Sequence, residues 1–523
     1  MDLDDMSRDE PSPDHAVKRL RRDETPIFTN VPTTTDNYQE LIYTISGDGS
    51  SRNTNSFDIS TALPNEWLLH QHNECKTPSN DVPLTSTSAT TTTNTTTTSE
   101  QRQMLHMELE SLKRQLAQVK RRLEPAREAC AAAVNAKNQR TGNSKQKTTP
   151  EQEFCTARSQ ANPMECLGTK YGLNHKLFLN RSAIKLANLD AILEFSLTTT
   201  TTTTTNNGDT ITAAATNVFL FADLCGAPGG FSEYLMKRCQ QRHQPYRGYG
   251  ISLLGTNEHG QGCTWKLGAS LQQLGNEKVI GSSYWISKGA DGTGDVYKWD
   301  NIIQFQMEIQ QDLAQGGLPL QKMDLVVADG GFDAQRGSEC QEEVSQKLVL
   351  CELAAALELL KEGGMLIIKL FGCQTESIRR SMRFMYDHFE WIQEIKPISS
   401  RPASQERYAL FWGFKGLPRT WRGGPSWIGS VLIGSGHLLQ ADKSVYQHLD
   451  DYLDTVDRDL MRLNLKACFE ILSNLERKTA SLVESSECPH VQGVERWQRN
   501  SKQEQRLIKM YRHAWNLHGL QNR

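Results

Sequence analysis

The sequence predicts an α/β domain with a mostly parallel sheet over residues 151–416. Short apolar segments typical of buried strands alternate there with amphipathic segments typical of helices, an order that favours parallel strands covered by helices on both faces. A glycine-rich turn follows the first strand, in the position where open sheets bind ligands. The predicted strands are residues 218–224, 246–253, 323–328, 365–371 and 407–414, with helices at 342–360 and 378–389.

The chain outside this domain has a different composition. Residues 1–100 are poor in apolar residues and rich in Ser, Thr, Asn and Asp, which predicts disorder. Apolar residues recur every three or four positions in residues 101–150 and again in residues 417–523. Both patterns predict helices, the second of them a helical C-terminal extension. The threonine run at 198–205 is interpreted as a surface loop.

A basic cluster, Lys18-Arg19-Leu20-Arg21-Arg22, lies in the predicted disordered N-terminal region. Such a cluster is typical of a nuclear import signal, but a solvated run of charges explains it equally well. The cluster by itself therefore leaves both alternatives open.

The bulk composition excludes several classes of protein. The 523 residues carry a formal net charge of −3, so any contact with nucleic acid must come from a local groove rather than a global positive field. No apolar run is long enough to span a bilayer, and the acidic, polar amino terminus predicts no secretory signal. The 12 cysteines form no CxxC pairs, which predicts reduced thiols in an intracellular protein and no zinc site.

The glycine-rich turn lies within Phe-Ala-Asp-Leu-Cys-Gly-Ala-Pro-Gly-Gly-Phe-Ser-Glu-Tyr, residues 221–234. Its glycines let the backbone approach a ligand closely, so the turn could hold a nucleotide-like cofactor at the carboxyl end of the sheet. The spacing is not the G-x-G-x-x-G of a dinucleotide-binding fold, and no P-loop lysine follows. Alone the turn is a weak sign, because many α/β proteins use such a turn only to reverse the chain.

Four polar residues lie at the ends of predicted elements around this turn. Asp329 follows the strand at 323–328, and Lys369 lies near the end of the next predicted strand. Glu406 precedes the last strand, and Lys185 lies on a helix before the first. Each has a structural alternative, such as capping a helix, pairing with a neighbouring charge or extending into solvent. Their arrangement around one turn favours a shared site instead.

In these motifs the chain resembles the FtsJ-like (RrmJ-type) ribose 2′-O-methyltransferases, whose signature is a Lys-Asp-Lys-Glu tetrad. The resemblance covers about residues 155–416. The turn reads Cys-Gly-Ala-Pro where Cys-Ala-Gly-Pro is commoner in the family. The matching segments are Asn-Arg-Ser-Ala-Ile-Lys-Leu-Ala-Asn-Leu-Asp at 180–190, the turn at 221–234, Ala-Asp-Gly-Gly-Phe at 328–332 and Lys-Pro-Ile-Ser-Ser-Arg-Pro-Ala-Ser-Gln-Glu-Arg-Tyr at 396–408.

The resemblance implies a Rossmann-like S-adenosylmethionine-dependent methyltransferase fold, with S-adenosyl-L-methionine as cofactor and no metal. It implies methylation of the ribose 2′-OH of the first transcribed nucleotide of 7-methylguanosine-capped mRNA. Such an enzyme is expected in the nucleus, acting on the single-stranded 5′ end of capped mRNA with protein partners from the transcription and capping machinery, and not at a membrane. The alternatives are the second cap nucleotide, rRNA or tRNA as target, or a catalytically dead RNA- or cap-binding protein.

The resemblance also implies roles for individual residues. The catalytic tetrad is Lys185, Asp329, Lys369 and Glu406. The residues implied to contact the cofactor are Asn180, Cys225, Gly226, Ala227, Pro228, Gly229, Gly230, Phe231, Asp295, Val296 and Asp329. Those implied to border the substrate are Arg158, Glu339 and Ser404.

Two chemical expectations accompany these roles. Lys369 is expected to act as general base, with a pKa lowered by burial and by the neighbouring Lys185 ammonium. Basic side chains near the mouth of the cleft, among them Arg407, are candidates for holding RNA phosphates. For Arg379, Arg380 and Arg383 a solvated helix face explains the pattern at least as well.

Overall fold

The computed structural model describes residues 41–46, 99–141, 148–162, 177–198, 218–255, 264–267, 282–331, 341–417, 443–487, 509 and 511–517. The strands are β1 (Leu41–Ser46), β2 (Phe219–Leu224), β3 (Tyr246–Ile251), β4 (Ser283–Ser287), β5 (Met323–Ala328), β6 (Leu360–Leu370), β7 (Phe389–Lys396) and β8 (Arg407–Phe414). The helices are α1 (Ser99–Thr141), α2 (Pro150–Ala161), α3 (Arg181–Ile192), α4 (Gly230–Gln241), α5 (Trp299–Gln315), α6 (Gln341–Leu359), α7 (Glu376–His388) and α8 (Gln447–Glu487).

All these strands join one eight-stranded sheet in the order β1-β7-β8-β6-β5-β2-β3-β4. The strands from β6 to β4 in this order are parallel, and α4, α5 and α6 lie in the connections between them. At the other side of the sheet β8, β7 and β1 pair antiparallel. The prediction of an α/β fold with a mostly parallel sheet is therefore confirmed.

All five predicted strands are present, but β1, β4 and β7 are not among the predicted ones. β4 is only 5 residues long. β7 reads Phe-Glu-Trp-Ile-Gln-Glu-Ile-Lys, in which charged residues interrupt the apolar run that marks a buried strand. The pairing of β4 with β3, in which Arg247 lies opposite Ser283, depends on a partner distant in sequence that local pattern does not reveal.

β1 lies within the segment 1–100 for which the composition predicts disorder. Its backbone pairs with β7 from Leu41, opposite Lys396, to Ser46, opposite Trp391. The sequence Leu-Ile-Tyr-Thr-Ile-Ser is rich in the β-branched and aromatic residue types that favour strands. The prediction of disorder is therefore wrong for this strand, while the basic cluster at 18–22 lies outside the described residues.

Helices cover both faces of the sheet, and the strands divide their side chains between them. Leu220 and Ala222 of β2 join a core built with α5, α6 and α7. Phe219 and Phe221 of the same strand join a second core built with α3 and α4. This alternation follows from the two-residue period of a strand.

The long helix α8 belongs to two cores. Its first half packs on the α6 and α7 face of the sheet through Leu449, Leu453 and Val456. Its second half packs against α1 and α2 through residues such as Leu465 and Ile471. The two segments predicted as helical on either side of the α/β domain thus meet in one helical layer. Among the helices in the described part of the chain, none is both long and apolar enough to cross a membrane.

Ion pairs join α7 to α8. Arg383 Nη2 lies 2.7 Å from Asp450 Oδ2, and Arg379 Nη1 lies 3.7 Å from Asp450 Oδ1. Arg379 also pairs with Asp454. Arg379 and Arg383 are therefore neither a solvated face nor free to hold phosphates, because α8 covers them, whereas Arg380 is 44% exposed and paired with Glu376 of its own helix.

Candidate active site

The register of the sheet brings distant polar residues to one edge. Asp329 directly follows β5, and Lys369 is the last residue but one of its neighbour β6. Because β8 runs antiparallel to β6, Tyr408 near its start lies opposite Lys369 near the end of β6. Glu406, just before β8, reaches the same edge, where α3 supplies Lys185.

Two ion pairs join the four predicted tetrad residues. Lys185 Nζ lies 2.8 Å from Glu406 Oε2, and Lys369 Nζ lies 3.1 Å from Asp329 Oδ1. Lys369 Nζ also donates a hydrogen bond of 2.8 Å to the backbone carbonyl of Asp329. These side chains are between 8% and 14% exposed, so water is largely excluded from the charges. The four residues thus converge as a shared site requires.

Hydroxyl groups fix both carboxylates. Ser182 Oγ donates to Asp329 Oδ2 at 2.7 Å, and the Tyr408 hydroxyl donates to Asp329 Oδ1 at 2.8 Å. Ser400 Oγ donates to Glu406 Oε1 at 2.7 Å. Sequence reasoning assigned no role to these three residues, because hydroxyl side chains are common and only the fold shows what they face. With their oxygens bonded on both sides, the carboxylates hold the two ammonium groups in fixed positions.

The glycine-rich turn packs so closely that side chains would not fit at its glycines. A Cβ on Gly226 would collide with the Asp223 carboxylate, and one on Gly230 would collide with Asn180 Oδ1. Gly229 has φ +109° and a Cβ there would lie 2.5 Å from Leu267 Cγ. Asn180 caps α3, its Oδ1 accepting from the Ser182 amide at 3.0 Å. The turn and the start of α3 therefore form one tight cradle.

Comparison with known proteins identifies this arrangement. Residues 178–414, which include the turn and all four tetrad residues, match the family model described as FtsJ-like methyltransferase. The chain contains an FtsJ-like methyltransferase domain. That domain carries the ion pairs, the turn and the sheet edge described above, while α1, α2 and α8 lie outside the match.

The chain is also similar to curated proteins named cap-specific mRNA (nucleoside-2′-O-)-methyltransferase 1. It is 30% identical to the Danio rerio protein over 265 residues, which are 50% of this chain and 29% of that protein. It is 31% identical to the Homo sapiens protein over 264 residues, with the same two coverages of 50% and 29%. The chain therefore spans less than a third of the length of these relatives.

Among solved structures, a ribosomal RNA methyltransferase from Plasmodium falciparum covers 46% of this chain and 99% of its own. The sequence identity is 15% and the TM-score is 0.28. A superposition that poor supports no conclusion about the site.

A buried carboxyl group in the FtsJ-like domain, that of Asp223, fits the cofactor that the family implies. Asp223 is fully buried, and its Oδ2 accepts from the Ser232 amide at 3.1 Å, whereas its Oδ1 has no hydrogen-bond partner in the described part of the chain. S-adenosyl-L-methionine carries two positive centres and several hydrogen-bond donors. An unpaired buried carboxylate oxygen beside a cradle without side chains suits such a ligand.

The charges of the FtsJ-like domain set the protonation of the tetrad. Burial raises the pKa of Asp329, but the Lys369 and Lys185 ammonium groups outweigh it and hold that pKa below its usual value. Burial likewise acts against ionisation of Glu406, yet Lys185 and Lys369 hold its pKa far below the usual range. Both carboxyl groups are therefore ionised at neutral pH.

The expectation that the pKa of Lys369 is lowered is wrong. Burial does lower it, but the Asp329 and Glu406 carboxylates raise it by more, so that it lies above its usual value. Before any ligand binds, Lys369 is thus an ammonium ion. The sequence pattern places the two lysines together, but the balance between them and the acids follows from distances that only the fold sets.

Lys396, the last residue of β7, is a buried lysine at this site to which sequence reasoning gave no role. Its Nζ donates to the backbone carbonyls of Ser404 at 2.7 Å and Arg401 at 2.9 Å, and also to that of Glu406. Burial lowers its pKa to about 7. Lys396 therefore shapes the loop that presents Glu406, and its presence in the matching segment at 396–408 was the one signal available.

The remaining predicted cofactor residues differ in their surroundings. Cys225, Ala227 and Pro228 of the turn are partly exposed. Asp295 Oδ1 accepts from the Tyr297 amide at 2.9 Å, and Val296 is only 5% exposed in the core against α5 and α6. Phe231 is buried too, with its ring centroid 6.0 Å from that of Tyr408. The Phe231 side chain therefore packs near Tyr408, on the side of the turn that faces the tetrad.

The predicted substrate residues are not all at the tetrad. Ser404 lies in the loop before β8, where its Oγ accepts from the Glu406 amide at 3.2 Å. The Arg158 guanidinium, on α2 in the helical layer, stacks over the Phe154 ring at 4.9 Å. Glu339 lies outside the described residues. Arg407 cannot hold phosphates, because it is 2% exposed and paired with Glu394.

Proposed function

We propose that this chain is an S-adenosylmethionine-dependent ribose 2′-O-methyltransferase that acts on the first transcribed nucleotide of 7-methylguanosine-capped mRNA. The observation that carries the proposal is the pair of ion pairs, Lys185 with Glu406 and Lys369 with Asp329, at the edge of the glycine-lined cradle. The names of the curated relatives support the choice of capped mRNA. Nuclear location and partners from the capping machinery belong to the same proposal.

Methyl transfer to a ribose hydroxyl requires alignment and removal of one proton. Bound S-adenosyl-L-methionine would supply the methyl group already activated on a sulfonium. The fixed side chains would hold the hydroxyl in line, an effect that can contribute up to ~7–11 kcal/mol. Asn180 and the turn from Cys225 to Gly230 would hold the cofactor, since they form the cradle.

The proton of the 2′-OH would be taken by Lys369 Nζ. This nitrogen is an ammonium in the resting site, so it first has to lose its own proton, which its carboxylate partners oppose. Lys185, held by Glu406, provides a second positive charge beside the developing alkoxide. Asp329, fixed by Ser182 and Tyr408, keeps Lys369 in place. A module that only binds RNA has no need for both ion pairs.

The test measures transfer of a labelled methyl group to short RNAs that differ at one position. We expect transfer to capped RNA and no transfer when the first nucleotide carries 2′-deoxyribose, because the acceptor atom is then missing. Lys369→Ala should abolish transfer and still bind the cofactor. Lys361→Ala, on the same strand but 29% exposed and paired with Asp324, should remain active.

Other outcomes would replace parts of the proposal. Transfer that stops only when the second nucleotide is the deoxy form would identify the second cap position as the target. Equal transfer to uncapped RNA would point to rRNA or tRNA. Cofactor and RNA binding without any transfer would leave a catalytically dead binding protein.

A further inference from the structure

A buried carboxyl group beside the turn has no part in the chemistry above. Glu352 lies in the middle of α6 and is 1% exposed. In the described part of the chain neither of its carboxylate oxygens has a hydrogen bond of regular geometry, and its nearest donors are the weak Cys225 thiol and the Gly330 amide. Asp223 differs, because Ser232 satisfies one of its oxygens. A structural carboxyl group that deep is normally bonded at both oxygens, so Glu352 requires another explanation.

Glu352 points at the site rather than into the core. A Cβ on Gly330, the residue after Asp329, would collide with its Oε1. Groups from several elements face it. Cys225 lies in the turn after β2, Asp329 and the Gly330 amide follow β5, and Lys369 lies near the end of β6. Cys351 precedes Glu352 on α6, and Tyr297 lies in the loop before α5.

None of these facing groups neutralises Glu352. Burial holds the thiols of Cys225 and Cys351 and the Tyr297 hydroxyl uncharged at neutral pH by raising each pKa. Lys369, the cation among these groups of the described part of the chain, is already engaged with Asp329 at 3.1 Å. Burial raises the pKa of Glu352 to about 8, so the group keeps a proton at neutral pH until a cation arrives.

We propose that Glu352 is a cofactor-recognition residue whose buried carboxylate is the counter-charge for S-adenosyl-L-methionine. The inference rests on the proposed function in that it presupposes this cofactor. When the cation binds, the Glu352 carboxyl group releases its proton to solvent and remains as the carboxylate. S-adenosyl-L-homocysteine, the product, has a neutral thioether in place of the sulfonium, so Glu352 favours exchange of product for fresh cofactor.

The test is calorimetric binding of both ligands to the full chain, in two buffers of different ionisation enthalpy. We expect the wild type to release up to about one proton on binding S-adenosyl-L-methionine near pH 7.5, and less with S-adenosyl-L-homocysteine. Glu352→Gln should remove most of that release and weaken the charged ligand about tenfold more than the neutral one. Glu358→Gln is the matched control on the same helix and should behave as the wild type.

Equal weakening of both ligands, or an unchanged Glu352→Gln variant, would overturn the assignment while leaving the methyltransferase proposal intact. Absence of proton release from the wild type would overturn it as well, whether or not the variant folds. A wild type that binds neither ligand would instead contradict the proposed function itself, and with it this inference.

Discussion

Arg407, the first residue of β8, forms a buried ion pair with Asp457 of α8, with Nη2 and Oδ1 2.6 Å apart. Successive residues of an extended segment face opposite sides of a sheet. Glu406 and Tyr408 accordingly reach the tetrad, while Arg407 between them reaches Glu394 and Asp457 on the other side. α8 thus holds the backbone that presents Glu406, although it lies outside the FtsJ-like domain.

Asp457→Asn should therefore impair both stability and catalysis. It leaves the Arg407 guanidinium buried with one carboxylate, and breaking a buried pair in this way costs about 3 kcal/mol of unfolding free energy. We expect kcat to fall about tenfold with cofactor affinity unchanged, because only the Glu406 segment loosens. Urea unfolding and steady-state kinetics measure the two effects.

The matched control for that variant is Glu476→Gln on the same helix. Glu476 pairs with Arg122 at 3.0 Å with both side chains at least 35% exposed, so its loss should cost less than about 1 kcal/mol. If Asp457→Asn loses no more than this control, α8 does not brace the site.

The rise of kcat on the acidic side of its pH profile should follow the deprotonation of Lys369. Its pKa lies above the usual value, so the neutral amine that can accept a proton increases about tenfold per pH unit through neutrality. We expect kcat at saturating cofactor to rise with a slope near one between about pH 7 and 9. Asp329→Asn removes the carboxylate that contributes most to raising this pKa, so the rise of kcat in this variant should occur at lower pH. A flat wild-type profile would contradict a general-base role.

Lys396 should give the folded state a distinctive pH dependence. Its pKa is about 7 in the folded protein and near the usual 10.5 in the unfolded chain. Between these values the unfolded chain binds more protons, so this group makes stability rise with pH, by about 1.4 kcal/mol per unit at most. Lys396→Met should lose that rise when unfolding free energies are compared across this window. Lys415→Met, at an exposed lysine, should keep the wild-type slope.

Gly229→Ala should abolish cofactor binding. The residue has φ +109°, and the added Cβ would lie 2.5 Å from Leu267 Cγ within the cradle. Gly255→Ala separates backbone strain from this collision, because Gly255 has a similar φ of +105° with nothing within 4 Å of the added atom. Strain alone costs about 1–2 kcal/mol. Cofactor affinity that falls equally in both variants would show that the cradle contact is unimportant.

The five predicted strands, the turn and the four charged residues that meet at the sheet edge follow from the amino-acid order alone. These features depend on local periodicity and on short motifs, and hydrophobic period is read from neighbouring residues. Position at a strand end was sufficient to predict that Asp329 and Lys369 converge, since carboxyl ends of parallel strands share an edge.

The surroundings of those residues, and hence their charge states, depend on how the chain folds in three dimensions. The direction of the Lys369 pKa, the pairing of Arg407 with Asp457 and the surroundings of the buried Glu352 carboxyl group each depend on groups that are remote in sequence. Desolvation and Coulomb interactions act over a few ångströms of space, regardless of separation along the chain. The total effect of desolvation and Coulomb interactions on each group is therefore set by the packing of strands and helices and not by the local sequence motifs.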